Sequence, residues 1–244
     1  MTGSDGHFTA RDRLASTVAD LGLSLTPRQL DAFEMYARLL REGKREANLT
    51  ALTDPIDVAD KHFLDSLTVL GALPDGPLRV IDIGAGAGFP GLPLKIVRPD
   101  LDVTLLEATG KKVAWLQRTI EALRLSGVRA LAARAEELAH DAAHRAEYDM
   151  AVARAVAPLA VLCELCLPFV RPGGRLIAQK TAAGATDEVP AAARAMELLG
   201  GRLVEVRPVK HQALPNRVLV VVEQTALALR DYPRRSGLPA KRPL

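Results

Sequence analysis

The chain has 244 residues, 48% of them hydrophobic and 25% charged, and a net charge of +3. That length suits a domain of ordinary to large size with a real core, and no run approaches the roughly 18–20 uninterrupted apolar residues of a membrane helix. Two cysteines are too few for a disulfide framework, and the start MTGSDGHFTARDRL has no apolar secretory core, so the sequence predicts a soluble, cytoplasmic protein with no membrane partner.

Residues 1–74 read as a helical N-terminal region. In TPRQLDAFEMYARLLREG, Leu30, Phe33, Ala37 and Leu40 recur at helical spacing behind Thr26 as N-cap and Pro27 at the first helical position, and Gly43 is expected to stop the helix. After the polar link KREANLTALT, the stretch DPIDVADKHFLDSLTVLGAL repeats the pattern. Asp54 is its cap and Pro55 its first residue, and Ile56, Val58, Phe63, Leu64 and Leu67 form its apolar stripe.

Residues 75–225 change character. Short apolar strands (LRVIDIG, DVTLLEA, VRALAAR, YDMAVAR, GGRLIAQK) alternate with helical segments, which predicts a mostly parallel, Rossmann-like α/β sheet with helices on both faces. GRLVEVRPVK and RVLVVVEQ are separated only by HQALPN, too short for a crossover helix, so they should be antiparallel neighbours. Cys163 and Cys166 share one apolar helix face and read as packing. His140 and His144 lack a third ligand and read as a solvated helix face, so no metal site is expected. Residues 226–244 form a basic tail in which Arg230, Arg234, Arg235, Lys241 and Arg242 face Asp231 alone. Its prolines and glycine argue against a regular helix, and its charge suggests a polyanion.

The chemistry gathers at strand ends. VIDIGAGAGFPGLPLKI is a strand, a glycine turn and a helix, in which Gly86, Gly88 and Gly91 satisfy GxGxxG and Gly84 precedes them. Asp82, still on the strand, would repel a pyrophosphate and attract an aminoacyl ammonium, which S-adenosylmethionine supplies. Glu107 ends the second strand, where an acid takes ribose hydroxyls or caps the next helix; Ala135 and Glu136 follow the third, where an amide and a carboxylate suit an adenine edge. The fourth strand ends in ARAVAP, with Arg154. It lacks the acid or Asn, two prolines and aromatic of many amino-group methyltransferases, and no cysteine is placed to attack a pyrimidine. An acceptor with a free lone pair, such as a ring nitrogen, remains. Two other readings stay open on the residues alone: an NAD(P)-dependent oxidoreductase, against which Asp82 counts, and a non-catalytic RNA-binding ribosome assembly factor, which needs the basic tail but not the cofactor acids.

The segments NLTALTDP (48–55), KHFLDSL (61–67), VIDIGAGAGFPGLPL, TLLEATGKKVAWL, RAEEL, ARAVAPL, the RPGG turn and the tail YPRRSGLPAKRPL, in this order, resemble the RsmG (GidB) family of bacterial 16S ribosomal RNA (guanine-N7)-methyltransferases. The resemblance implies a class I methyltransferase fold, S-adenosylmethionine as cofactor, and cofactor contacts at Gly84, Phe89, Ala135, Glu136 and Arg154 beside Asp82, Gly86 and Glu107. It implies 16S ribosomal RNA or the small subunit as partner, and a monomer. Lys61, His62 and Asp65 are expected to face the cleft, with His62 and Arg154 as orienting candidates and no acid–base residue. Arg234, Arg235, Lys241 and Arg242 are expected to contact RNA. Glu107 stands where many members have Asp, and the role of Lys180 is left open.

Overall fold

The computed structural model describes residues 9–47, 49, 52 and 54–244. Residues 1–8, and Asn48, Thr50, Ala51 and Thr53 of the NLTALTDP segment, lie outside the described residues.

Helix α1 (Ala10–Thr17) starts at Thr9, whose side chain and backbone exchange hydrogen bonds with Asp12. Helix α2 (Pro27–Ala47) starts as expected: the Gln29 N–H donates to Thr26 Oγ1 while Gln29 Oε1 accepts from the Thr26 N–H, a reciprocal cap. It does not stop at Gly43. A Cβ there would collide with the Trp115 indole, so this glycine admits a tryptophan from a distant helix rather than ending its own.

Asp54 caps α3 (Pro55–Val58), its Oδ1 accepting from the Ile56 and Asp57 N–H groups. The chain continues as one π turn (Ala59–Leu64), α4 (Asp65–Leu67) and a 3₁₀ turn (Thr68–Ala72). The π turn falls on KHFL, and such turns often mark functional positions because they break the regular phase of a helix. Val58, Phe63, Leu64 and Leu67 are buried as the stripe predicts, but Ile56 is 44% exposed, because it stands two residues before Val58 and so points to the other side of the helix.

The alternating part comprises β1 (Arg79–Ile83), α5 (Gly91–Val97), β2 (Asp102–Glu107), α6 (Gly110–Ala122), β3 (Val128–Ala132), α7 (Ala135–Leu138), β4 (Tyr148–Arg154), α8 (Leu159–Cys166), β5 (Val170–Thr181), α9 (Ala182–Ala191), α10 (Ala193–Leu198), β6 (Gly201–Pro208), β7 (Arg217–Gln224) and a last turn α11 (Leu238–Lys241). Among the described residues seven strands form one sheet in the order β3-β2-β1-β4-β5-β7-β6. β1 to β5 are parallel, and β7 runs antiparallel to both β5 and β6, as the short HQALPN link requires. RPGG is not a free turn but lies within β5, where the register with β4 shifts.

Alternate residues feed two cores. Val80, Val103, Leu105 and Val152 face the helices of the N-terminal region with α5 and α6, whereas Ile81, Ile83, Leu106 and Ala151 face α8, α9 and α10. Strands buried on both faces read as continuous apolar runs, which is why they were easy to find. Among the described residues no helix is long and apolar enough to cross a membrane.

Cys163 and Cys166 are buried on α8, and burial pushes the Cys163 thiol up to about 12. His140 and His144 are not on a solvated helix face. They sit in turns after α7, where His140 Nε2 donates to the Pro233 carbonyl and His144 Nδ1 bonds the Tyr148 hydroxyl.

The tail is docked rather than loose, and it includes the single turn α11. Arg145 donates to the Ala139, Ala228, Leu229 and Tyr232 carbonyls. Arg234 forms an ion pair with the fully buried Glu164 of α8 at 2.7 Å.

Candidate functional site

The sheet order turns back between β1 and β4, and ligands of open α/β sheets bind outside the carboxyl ends of the strands at such a point. The glycine turn after β1 forms one wall. Gly84, Gly86 and Gly88 all have positive φ, a conformation side chains rarely adopt, and a Cβ on Gly86 would point into open space bounded only by the Gly84 carbonyl at 3.8 Å.

Asp82 lies directly beneath this turn, fully buried. Its Oδ2 accepts the Gly91 N–H at 2.8 Å, while its Oδ1 has no hydrogen-bond partner. Burial raises its carboxyl to about 7, although the Gly91 bond opposes the shift. An orphaned acceptor beside an open glycine cradle suits the cationic aminoacyl end of S-adenosylmethionine, so the residues present fit that cofactor.

Glu107 ends β2 and takes up the second of the roles considered for it, at the start of the next helix. Its Oε2 accepts the Gly86 N–H at 3.1 Å and its Oε1 the Thr109 N–H at 2.9 Å, so it joins the glycine turn to the start of α6. Ala135 and Glu136 open α7 at the next strand end, both buried. The Glu136 carboxylate accepts the Gly237 N–H at 2.9 Å, and Glu137 accepts from the Ser236 hydroxyl, so the start of α7 and the tail touch here.

The second wall comes from the π turn. Phe89, nearly buried, stacks between Tyr36 of α2 and the His62 imidazole, with ring centroids 5.4 and 4.6 Å away. Tyr36 donates to the Ala87 carbonyl, so the N-terminal helices hold the glycine turn directly. Arg154 leaves the end of β4, lies over the Phe89 ring at 4.7 Å, and donates to the Lys61 carbonyl, to Asp65 Oδ2 at 3.2 Å and to His62 Nδ1 at 3.3 Å. Because a guanidinium only donates, His62 Nδ1 is an acceptor here. Burial, reinforced by the Arg154 charge, lowers His62 to about 4, so it is neutral near pH 7.

A cavity of about 440 Å³ opens beside this second wall, lined by Lys61, His62, Asp65, Arg154, Lys180 and Arg217 among others. Lys61, His62 and Asp65 therefore face the cleft as expected. Lys180 bonds Glu188 and the Ala157 carbonyl, both at 2.6 Å, and braces the loop after β4 against α9. Arg217 and Gln179 were missed by sequence reasoning. Arg217 is the first residue of an antiparallel strand, and only the sheet order brings it to this edge; Gln179 sits in an apolar strand, where its amide gave no signal.

The expected RNA contacts divide. Arg235, Lys241 and Arg242 are exposed, but Arg234 turns inward, because Glu164 supplies the acid that seemed missing near the tail. Among the described residues no three His, Cys, Asp or Glu side chains are grouped to hold a metal ion.

A family model described as "rRNA small subunit methyltransferase G" (GidB) matches residues 29–219. A "Ribosomal RNA small subunit methyltransferase G" of Roseiflexus sp. (strain RS-1) is 47% identical over 233 residues, covering 96% of this chain and 99% of that one. Its counterpart in Moorella thermoacetica is 45% identical over 237 residues, covering 96% and 98%. Among solved structures, a SAM dependent methyltransferase from Aquifex aeolicus aligns with TM-score 0.52 and 16% identity over 69% of this chain and 93% of that one, a likeness of fold.

Proposed function

From the premise that this chain belongs to the rRNA small subunit methyltransferase G (GidB) family, we propose that it methylates N7 of one guanosine in 16S ribosomal RNA. It is a methyltransferase, its fold is that of the class I enzymes, and its cofactor is S-adenosylmethionine. Neither the oxidoreductase nor the non-catalytic assembly factor is favoured by these relatives. We place its work in the cytoplasm, on ribosomal RNA or the small subunit. We take it to act as a monomer.

The observation that carries the reading is the meeting of Arg154, His62 and Asp65 beside the glycine turn, on the wall of a cavity that opens next to the cofactor cradle. S-adenosylmethionine, when bound, supplies an electrophilic methyl group. Asp82 and the glycine cradle are assigned its aminoacyl end, Glu107 its ribose, and Ala135 and Glu136 its adenine, each at the end of a successive strand.

Guanine N7 has an in-plane lone pair and no proton, so nothing need be removed before attack. A general base would have no task. The wall accords with this: His62 is neutral with Nδ1 already accepting, and Asp65 is engaged by Arg154. What remains for the protein is alignment, which contributes about 7–11 kcal/mol in favourable systems. Arg154, fixed by acceptors on two sides and by the Phe89 face, is the group suited to hold that alignment.

Nucleoside mass spectrometry of small-subunit RNA, incubated with the protein and labelled S-adenosylmethionine, tests this. Labelled 7-methylguanosine at one position is expected. Label in any other nucleoside would overturn the assignment.

A further inference from the structure

The cavity wall at the end of β5 contains an acceptor that the protein itself leaves unused. Gln179 is 5% exposed and pairs in register with Arg154. Its Nε2 donates to the Asp65 carbonyl oxygen at 2.7 Å, and since that oxygen can only accept, the orientation of the amide is settled. Oε1 is therefore the remaining polar atom, and it is buried with no hydrogen-bond partner. Buried side-chain acceptors are nearly always paired, and one left unpaired on a residue that lines a cavity marks a place where a ligand donor fits.

The surroundings narrow the ligand. The cavity, about 440 Å³, is of the size of small-ligand sites. Lys61, Arg154, Lys180 and Arg217 outnumber Asp65 around it, and Arg217 approaches Asp65 only at 3.6 Å, beyond hydrogen-bond reach. A cationic rim over a floor with an open acceptor suits a nucleotide whose base presents donors. Guanine presents two adjacent ones, N1–H and the 2-amino group, on the edge opposite N7. Adenine presents a bare N1 at the same place.

We propose that Gln179 reads the target base, its Oε1 accepting from N1–H or the 2-amino group of a guanine seated in this cavity with N7 toward the glycine turn. This rests on the guanine-N7 reading above and adds the residue that selects guanine. Adenine in the same seat sets one acceptor against another and is rejected. The polar pairing that rejects it is stronger discrimination than an apolar wall gives, because the wrong base leaves a buried acceptor unpaired.

The test uses the RNA or subunit whose guanosine has been mapped by mass spectrometry. That one nucleotide is replaced by inosine, which keeps N1–H and lacks the 2-amino group, or by 2-aminopurine riboside, which keeps the amino group and lacks N1–H. Wild type and Gln179→Met are compared by initial rates of labelled methyl transfer on all three. Wild type is expected to lose roughly tenfold on at least one analogue, the worth of one hydrogen bond. Gln179→Met is expected to lose a similar factor on the guanosine substrate and nothing further on that analogue. Ratios between substrates do not depend on how much of a variant is folded. Equal ratios for the two proteins on both analogues would overturn the role of Gln179 while leaving guanine methylation intact. If wild type places no methyl group on guanosine at all, the guanine-N7 reading falls and this assignment falls with it.

Discussion

Arg234 and Arg154 each reach a carboxylate that is almost wholly buried, and the two meetings differ in what they leave open. Arg234 grips Glu164 with Nε and Nη2 at 2.8 and 2.7 Å, its own backbone N–H adds a third bond at 2.8 Å, and Nη2 also reaches the Arg242 carbonyl. Arg154 meets Asp65 at 3.2 Å, shares it with Arg217, and turns its remaining donors toward His62 and the Lys61 carbonyl on a cavity wall. The first pair is closed and fastens the tail to α8. The second is loosely filled and adjoins the open acceptor of Gln179. A buried ion pair therefore does not by itself mark a site; the unfilled bonding capacity around it does.

The sharpest way to break this contrast is to remove Arg234. Arg234→Ala strands a buried Glu164 charge, and such losses cost about 3–5 kcal/mol. In a chain of this length a melting temperature lower by on the order of 10 °C follows. The double variant R234M/E164L should recover most of it. A melting curve within a degree or two of wild type would mean that the closed pair fastens nothing.

Arg154→Lys is next. It keeps the charge but loses the planar fork that serves several acceptors at once, so methyl transfer should fall about 100-fold, as small misplacements do, with a smaller change in melting temperature than Arg234→Ala causes. Rate and melting measured on the same preparation decide it. If stability falls as far as for Arg234→Ala while the rate per folded molecule holds, the two pairs are alike.

Much of the architecture was legible because its signals are local. Parallel strands buried on both faces show as apolar runs, and Thr26, Pro27, Asp54 and Pro55 announce their helix starts within three residues. The placement of Asp82, Gly86 and Glu107 at the ends of β1 and β2 was also legible, since the alternation of strand, turn and helix locates those ends. What failed depends on partners distant in sequence. Gly43 looked like a stop because its reason is Trp115 on another helix. Arg234 looked free because Glu164 lies 70 residues before it. Gln179 was invisible because its signal is an unfilled bond, which no pattern of residue types records.

A third buried carboxylate, Asp82, sharpens the contrast because it has no arginine in contact. Its free-chain value lies near 4 and its folded value near 7, so between these the folded state holds the extra proton. Stability should therefore fall as pH rises through that window and level off above about 7. The cofactor ammonium favours the ionised form, so its affinity should rise up to roughly tenfold from pH 6 to pH 8. Calorimetric titrations at both pH values measure this. Asp82→Asn should flatten the dependence, and an unchanged slope would remove Asp82 from cofactor binding.

The smallest effect separates the tail cations. Arg235 and Lys241 are exposed, and each phosphate contact on single-stranded RNA contributes about 0.7 to the slope of log affinity against log salt. Replacing both by Gln should flatten that slope by about 1.4, whereas Arg234→Gln should leave it as it is. RNA titrations across salt concentrations give the slopes, and a change confined to Arg234→Gln would reverse the division between fastening and RNA contact.

The reversal of β7 has a consequence for how such a protein can be altered. In the parallel half, each segment reaching the ligand edge is also the start of a crossover, so lengthening it displaces a helix. Because β7 runs the other way, its first residue, Arg217, stands opposite Thr181 at that same edge, and the segment at 209–216 leads to it from β6 without any crossover. His211 anchors that segment through the Thr17 carbonyl and the Ala213 N–H. Insertions between the exposed Pro215 and Asn216, beyond the buried Leu214, can thus reshape one rim of the cleft while the five parallel strands and both cores keep their register, which makes this hairpin the natural graft point for changing which RNA the cleft accepts.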